Sequence, residues 1–239
     1  MHKLTAIKQT LLLLFTLIII ASCSHTTGSG KIISETRPAG NFDAITVGGG
    51  FEVEVKTGPV TAVVVEADDN IIKYIETQIS GNTLKISTED MHNYSDVHMR
   101  VYITTPTLKT IKSSASAAVV VQDLIVSTGK LTFKASSGSS IKTDVDAPEV
   151  EADVSSGASI TIGGKTKNTT SEASSGAEIK LWELLSENTT VKVSSGASAK
   201  VHASVNLNAT ASSGASIRYH GAGTVNKNVS SGGSIEKQD

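Results

Sequence analysis

Apolar or small residues alternate with polar residues in short stretches along the second half of the chain. Before each Ser-Ser-Gly triplet, the residues one, three and five places upstream are mostly apolar or small, as in Leu131, Phe133 and Ala135. A second alternating stretch follows each triplet and includes Ile160 and Ile162. A period of two is typical of strands that turn one face toward a core. The Ser, Thr, Val and Gly content disfavours helix, so each repeat is predicted to supply two or three short strands.

Six Ser-Ser-Gly triplets give the chain its period. They start 19, 19, 20, 18 and 18 residues apart, which indicates stacked supersecondary units. We therefore predict an all-β fold, a single-chain parallel β-helix or solenoid of about 19-residue coils. An irregular N-terminal β cap containing one short helix is expected to cover one end. Lys227 is the one charged residue at an inward position, and it lies in the last copy.

The third residue of each triplet is predicted to form a corner of the coil, because glycine tolerates a positive φ that other residues resist. A serine that recurs in every coil is interpreted as structural, since catalysis needs one unique constellation. Stacked serines are expected to hydrogen-bond along their column, and Asn168, Asn188 and Asn206 form a partial ladder of the same kind. The predicted corner glycines are Gly138, Gly157, Gly176, Gly196, Gly214 and Gly232.

Residues 1–22 are predicted to be a bacterial lipoprotein signal peptide. A positively charged start precedes the apolar stretch Leu11–Ala21, which is too short for a permanent transmembrane helix. The four residues Ile20–Cys23 resemble a lipobox, and Cys23 is the only cysteine in the chain. We therefore predict that Cys23 carries the lipid and that no disulfide is present.

The rest of the chain is predicted to be one elongated body behind a short linker. Gly48–Gly50 occupies the position of the triplet and marks a degenerate first coil, and Ser113–Ala115 is a weakened copy. Asp68–Asn70 offers N-caps for a short helix over Ile71–Thr77. The predicted segments are a flexible tether, 23–31, and a β-solenoid, 32–239, which divides into an irregular N-terminal part, 32–107, and repetitive coils, 108–239.

The charge of the chain excludes one class of partner. There are 21 Lys and Arg against 23 Asp and Glu, a net charge of −2, and no basic run. Such a chain has no electrostatic footprint for nucleic acid, and its membrane attachment is expected through lipid. His92, Asp96 and His98 lie close together but lack the spacing of a zinc site, so neither a metal nor a cofactor is expected.

Trp182 is the only tryptophan and interrupts a repeat of otherwise small residues. In one interpretation it covers a longer loop, with Leu184 and Leu185 packed beneath it. In the other it is a candidate contact residue, an exposed aromatic platform for a glycan or a protein. The sequence leaves both interpretations open.

An enzyme is the main alternative to a binding protein, because parallel β-helices often carry polysaccharide-cleaving sites. Glycoside hydrolysis needs two acids held about 5–10 Å apart, which in a solenoid means one column and a spacing near 19 residues. Glu151 and Glu172 are 21 residues apart, and Asp144 and Asp153 are 9 apart, so these pairs do not share a column. The fold alone does not make the chain an enzyme.

Three stretches of the chain resemble a known family. They are RPAGNFDAITVGGGFEVEV, which begins at Arg37, VVVEADDNIIKYIETQISGNTLKIST and the serial SSGAS repeats, and the resemblance covers roughly residue 32 to the end. They are similar to the bacterial head GIN domain, the head of auto-transporter adhesins, which is common in lipoproteins of Bacteroidetes-type bacteria. The resemblance implies a β-helix-like fold, an envelope location and an adhesive role. The family has no established catalytic residues to transfer.

Taken together, these features predict a lipid-anchored cell-envelope protein whose non-catalytic solenoid is an adhesion or binding module. The alternatives are a carbohydrate-active β-helix enzyme and a structural module for envelope assembly. The predicted location is the outer membrane, with the periplasmic and the surface face both open. The expected partners are the membrane, through the lipid at Cys23, and a glycan or protein ligand.

Overall fold

The fold is all-β. A computed structural model describes residues 24–89, 92–221 and 223–238, and within them it contains 21 strands and a single 3₁₀ turn, Ile72–Tyr74. No helix in these ranges has the length and apolar character needed to cross a membrane. The strands are β1 Ser24–Thr27, β2 Ile32–Arg37, β3 Ala44–Val47, β4 Glu52–Thr57, β5 Ala62–Asp68, β6 Ile75–Ser80, β7 Thr83–Thr88, β8 His92–Ser95, β9 Met99–Thr105, β10 Thr110–Ser113, β11 Ala118–Val126, β12 Lys130–Ala135, β13 Ser140–Val154, β14 Ser159–Ala173, β15 Glu178–Leu181, β16 Leu184–Val193, β17 Ser198–His202, β18 Asn206–Ala211, β19 Ser216–His220, β20 Thr224–Val229 and β21 Ser234–Lys237.

The strands stack into a β-solenoid of about seven turns, which confirms the predicted architecture. The first face contains the strands that precede the corners, in the order β7, β3, β10, β12, β13, β14, β16, β18 and β20, all parallel. The second face contains the strands that follow the corners, in the order β9, β4, β11, β13, β14, β15, β17, β19 and β21. The long strands β13 and β14 run from the second face into the first face of the next coil.

The core lies between the two faces and is built from columns of inward side chains. On the first face, successive coils place Phe133, Ala152, Ser171, Val191 and Ala209 in register, and each is at most 2% exposed. Equivalent residues of stacked strands lie about 4.8 Å apart, so each side chain packs against the copies above and below. The alternation in the sequence therefore predicted the core correctly. The matching column on the second face is Ile141, Ile160, Ile179, Ala199 and Ile217.

The corners are held by backbone hydrogen bonds between coils. The glycine of each Ser-Ser-Gly triplet has a φ between 69° and 74°, and the serine before it has a φ between 47° and 54°. In each coil but the last, the glycine N–H donates to the carbonyl of the second serine in the following coil, as Gly176 does to Ser195 at 3.0 Å. The sequence pattern did not predict the left-handed serine. In the described chain, the predicted hydroxyl bonds along the serine column are not formed, whereas the asparagine ladder is, with Asn188 donating to Asn168 at 3.1 Å.

The corner continues into the irregular part of the chain. Gly50 donates to the carbonyl of Ala115 at 2.8 Å, and Ser116 donates to Ser137 at 3.0 Å. Gly48–Gly50 is therefore an earlier corner, as predicted. The weakened copy of the Ser-Ser-Gly triplet was predicted at Ser113–Ala115. In the true triplets the second and third residues have a positive φ, and here those residues are Ala115 and Ser116, so the copy begins one residue later.

Antiparallel strands close the N-terminal end, where the predicted short helix is a single 3₁₀ turn. β2 and β9 flank β5, and β6 pairs with β7. The helix expected over Ile71–Thr77 is replaced by the 3₁₀ turn, after which Ile75 is extended and pairs with Thr88 in β6 and β7. Ile71, Ile72 and Ile75 are buried as expected. Strand pairing over the core therefore outweighs the local helix signal.

Residues 24–31 were predicted as part of a flexible tether, but they are bound to the cap. β1 pairs with β8, and the carboxylate of Asp68, which is 2% exposed, accepts the N–H groups of Gly30 and His98, each at 2.7 Å. Asn70 accepts the N–H of Ser29 at 3.0 Å. The polar side chains interpreted as helix caps thus bind this segment instead. Cys23 and the predicted signal peptide, residues 1–22, lie outside the described residues.

At the C-terminal end of the stack, no strand among the described residues covers the last coil. Val225 and Val229, which continue the inward columns in β20, are 38% and 50% exposed. Lys227 continues the column of Phe133 and Val191, and its side chain lies across the open end of the core. Its Nζ is 4.8 Å from the ring centroid of Tyr219 and donates to the carbonyl of Ile235 at 3.4 Å.

Candidate functional site

A shallow groove of about 780 Å³ follows the corner on the first face. Outward side chains of the strands form one wall, and the first serines of the corners form the other. Because each coil contributes the same two positions, the groove runs along the stack rather than around it. The charged residues of the outward wall are Lys112, Lys134, Asp153, Glu172 and Lys192. We call this surface the corner groove.

The corner groove contains charges of both signs, and lysines pair with acids of the neighbouring coil. Lys134 lies 2.5 Å from Asp153 and 3.5 Å from Glu151, and Lys192 lies 3.0 Å from Glu172. The hydrogen bond to Asp153 raises the pKa of Lys134. The ion pair with Lys130 lowers the pKa of Glu151 just outside the groove. These pairs are solvent-exposed, so they order the surface more than they stabilise the fold.

Two acids of the groove share a column that our sequence analysis missed. Asp153 and Glu172 are 19 residues apart and are register partners in β13 and β14. A glycosidase needs two neighbouring carboxyls, and the one that donates a proton must be kept neutral by its surroundings. Each of these carboxyls instead has a lysine ammonium within 3.0 Å. Asp153 and Glu172 therefore have the sequence spacing expected of a hydrolase pair, but the neighbouring lysines favour their charged forms and ion pairing.

Trp182 lies at the far edge of the second face in a cluster of aromatic rings. Its indole stacks on the imidazole of His220, with ring centroids 4.0 Å apart and an interplanar angle of 19°. The ring of His202 contacts His220 edge-on at 4.7 Å. Trp182 is half-buried, and of the two leucines expected beneath it Leu184 is 1% exposed and Leu185 is 58% exposed. The tryptophan is therefore held by a histidine from two coils further along.

The cluster shifts the pKa of His202. Its Nδ1 accepts the N–H of Ser186 at 3.1 Å. Burial, followed by the proximity of His220, lowers the pKa of His202 below its ordinary value of 6.5. The folded protein therefore favours the neutral imidazole.

This shift predicts that the solenoid loses stability on mild acidification. The stabilisation from neutral His202 is complete above pH 6.5, the ordinary value, and is lost as the pH falls through the lowered folded-state pKa. In His202→Asn, an amide oxygen can accept the Ser186 N–H without titrating, so denaturation midpoints should change less between about pH 7 and 5. His25→Asn, at an exposed histidine, is the control and should keep the parent profile. An unchanged slope in His202→Asn would contradict the assignment.

His92, Asp96 and His98, which lie close together in the sequence, are not predicted to form a metal site. His98 lies 2.7 Å from a carboxylate oxygen of Glu66 on β5. The side chain of His92 lies outside the described part of the structure. Within the described ranges, no three His, Cys, Asp or Glu side chains are close enough together to hold a metal ion.

These features define a class of protein, a β-solenoid that presents a polar groove and flat faces built from repeated outward positions. The sequence matches the family described as “putative auto-transporter adhesin, head GIN domain” over residues 41–223. The chain belongs to that family, and the resemblance found in its sequence is confirmed. No curated protein sequence matches it.

Solved structures share the fold at low sequence identity. A protein described as a putative adhesin from Bacteroides fragilis is 18% identical, with a TM-score of 0.81 over 89% of this chain and 100% of its own. A second such adhesin, from Parabacteroides distasonis, is 22% identical, with a TM-score of 0.74 over 90% and 100%. A third structure, described as a putative lipid binding protein from the same species, is 16% identical, with a TM-score of 0.72 over 90% and 100%. At these identities the likeness shows the fold alone.

Proposed function

We propose that the chain is a lipid-anchored envelope adhesin whose solenoid binds an extended ligand without catalysing a reaction. The observation that carries this proposal is the corner groove, in which successive coils offer equivalent polar positions along one line. A linear partner lying in the groove meets the same kind of contact at every coil. Exposed, mutually paired charges give weak individual contacts, so useful affinity requires many contacts or many copies acting together. The adhesin family supports the same role.

Binding strength should therefore depend on surface density. The protein would be tethered through its N-terminus to beads at high and low density, and retention measured on immobilised matrix proteins and envelope glycans. We expect retention per molecule to rise with density and the ligand to be recovered intact. Turnover of a polysaccharide that is abolished by Asp153→Asn or Glu172→Gln would instead establish the enzyme alternative. Retention that does not depend on density would contradict the multivalent mechanism.

Lipid attachment at Cys23 is proposed from the sequence and has its own test. We expect Cys23→Ala to release the protein from the membrane fraction, because the residues around it carry no basic run to hold an anionic surface. The measurement is fractionation of cells after a salt wash, with Ser24→Ala as the matched neighbouring substitution. If Cys23→Ala stayed with the membranes, lipid anchoring would be wrong.

The side of the outer membrane that carries the protein needs a separate experiment. Protease added to intact cells removes a surface protein and spares a periplasmic one. An adhesin that contacts host material must be accessible in this assay. Protection of the protein would favour the structural role in envelope assembly over adhesion.

A further inference from the structure

A second outward surface, away from the corner groove, combines cations with aromatic rings. On the second face, β15, β17 and β19 place Lys180, Lys200 and Arg218 in one column, with consecutive residues in direct register. A neighbouring column contains His202 and His220, which are register partners, and it begins at Trp182 next to the end of β15. We call these six residues the basic–aromatic patch.

The cations of the patch are not neutralised as those of the corner groove are. Lys180 lies 2.8 Å from Glu178, but among the described residues no acidic side chain comes within 4.0 Å of Lys200 or Arg218. Glu236 follows Arg218 in register without reaching it. Like charges on directly neighbouring strands repel each other and destabilise a sheet. The repulsion between Lys200 and Arg218 would be relieved by a ligand that places a negative charge between them.

The aromatic column gives the patch a flat apolar element beside the charge. His220 stacks on one face of the Trp182 ring, and its Nε2 lies 2.9 Å from the Trp182 carbonyl oxygen. These contacts fix the orientation of the indole while leaving the side chain part-exposed. An aromatic ring held in this way offers a surface on which a sugar ring can pack.

We infer that the basic–aromatic patch binds an acidic glycan. A carboxylate or sulfate of the glycan lies between Lys200 and Arg218, and a sugar ring packs on Trp182. The chain of the glycan follows the stack, since successive coils repeat the cation at about 4.8 Å. This inference rests on the proposed adhesin role, adds a second binding surface to the corner groove and names the ligand class of that second surface. A single-stranded nucleic acid fits less well, because its successive bases need successive stacking rings, whereas the patch offers one part-exposed indole whose ring is covered on one face by His220.

The test compares matched charge changes in the full-length protein. Titration calorimetry would measure binding of heparin and polygalacturonate oligosaccharides, with neutral dextran and oligo(dT) as comparison ligands. The double variant Lys200→Gln and Arg218→Gln should bind the acidic oligosaccharides at least about tenfold more weakly. The double variant Lys56→Gln and Lys85→Gln, which removes the same charge from exposed positions in β4 and β7, should bind like the parent. Binding should also weaken as salt is raised.

A separate pair of variants tests the aromatic ring. We expect Trp182→Ala to weaken binding, and Trp182→Phe to retain more of it because a ring remains. Thermal denaturation would show that both variants are folded.

The possible outcomes separate this inference from the adhesin proposal. If Lys134→Gln with Lys192→Gln abolished acidic glycan binding while the patch variant did not, the glycan would occupy the corner groove and the patch would be wrong. Tighter binding of oligo(dT) than of heparin would also overturn the inference. If acidic glycans failed to bind but density-dependent retention on another ligand persisted, the inference would fail and the adhesin proposal would stand. If the protein were retained on none of the ligands tested, both the acidic-glycan inference and the adhesin proposal would be wrong.

Discussion

Gly164→Ala should destabilise the protein by more than about 3 kcal/mol, because the backbone of the neighbouring coil occupies the space that a side chain needs. Gly164 has a φ of 99°, and a Cβ built on it would lie 2.1 Å from the carbonyl oxygen of Val145. The two residues are register partners in β13 and β14, and the Gly164 N–H also donates to Glu183 at 3.0 Å. Moving the backbone of Gly164 to relieve the clash would therefore disturb both its pairing with Val145 in the preceding coil and its hydrogen bond to Glu183 in the following coil. Chemical denaturation measures the loss.

The repeated corner glycines provide the matched control. Gly176 has a φ of 70°, but a Cβ there would meet nothing within 4 Å. Gly176→Ala should therefore cost only the conformational penalty of about 1–2 kcal/mol. The serine before it, Ser175, already adopts a φ of 54° with its side chain in place. Equal losses in the two variants would mean that left-handed backbone, rather than the close approach of coils, determines the cost.

Lys227→Val should make the protein associate through its C-terminal end. Lys227 occupies an inward position of the last coil, and β20 leaves a row of backbone groups unpaired by any described strand on its outer side. A charge at such a position opposes the stacking of another molecule's strands onto the edge. Valine there would extend the exposed apolar surface already formed by Val225 and Val229. We expect sedimentation to show assembly that increases with concentration, above any association of the parent.

A substitution on the opposite side of the same strand tests this explanation. Asn228 neighbours Lys227 and therefore points away from the core side of β20. Asn228→Val adds the same apolar side chain without removing the charge from the edge of the core. It should associate no more than the parent. Comparable assembly in both variants would attribute the effect to added surface hydrophobicity alone.

The repeat made the fold predictable, because stacking translates a sequence period directly into spatial register. Once the triplets were aligned, the inward columns through Phe133 and Ile160 followed from alternation alone. The same alignment identified Lys227 as the exception in the column. Conformation inside the corner was less predictable. A serine side chain does not favour a positive φ, so the sequence offered no reason to predict one at Ser175. This residue adopts a positive φ because the hydrogen bonds between coils require it.

The irregular part and the candidate sites depended on contacts between residues far apart in sequence. Local signals favoured a helix after Asp68, but the partner of Ile75 in the antiparallel pair is Thr88, and tertiary pairing decides the conformation. Trp182 stacks on a residue 38 positions later, so no local pattern could predict its support. The acidic pair Asp153 and Glu172 was visible as a 19-residue spacing, and a systematic search of that spacing would have found it.

A stack in which most coils use the same corner can change its length without altering either end. The corner hydrogen bonds join only adjacent coils, so one unit of 18–20 residues could be inserted or deleted while the cap and the last coil stay the same. Each such unit would move β21 by about 4.8 Å relative to β1. Because β1 begins next to residue 23, the number of repeat units would determine the length of the solenoid measured from that residue. It would set how far the binding surfaces reach from whatever holds the N-terminus, and relatives with more or fewer triplets would differ first in reach.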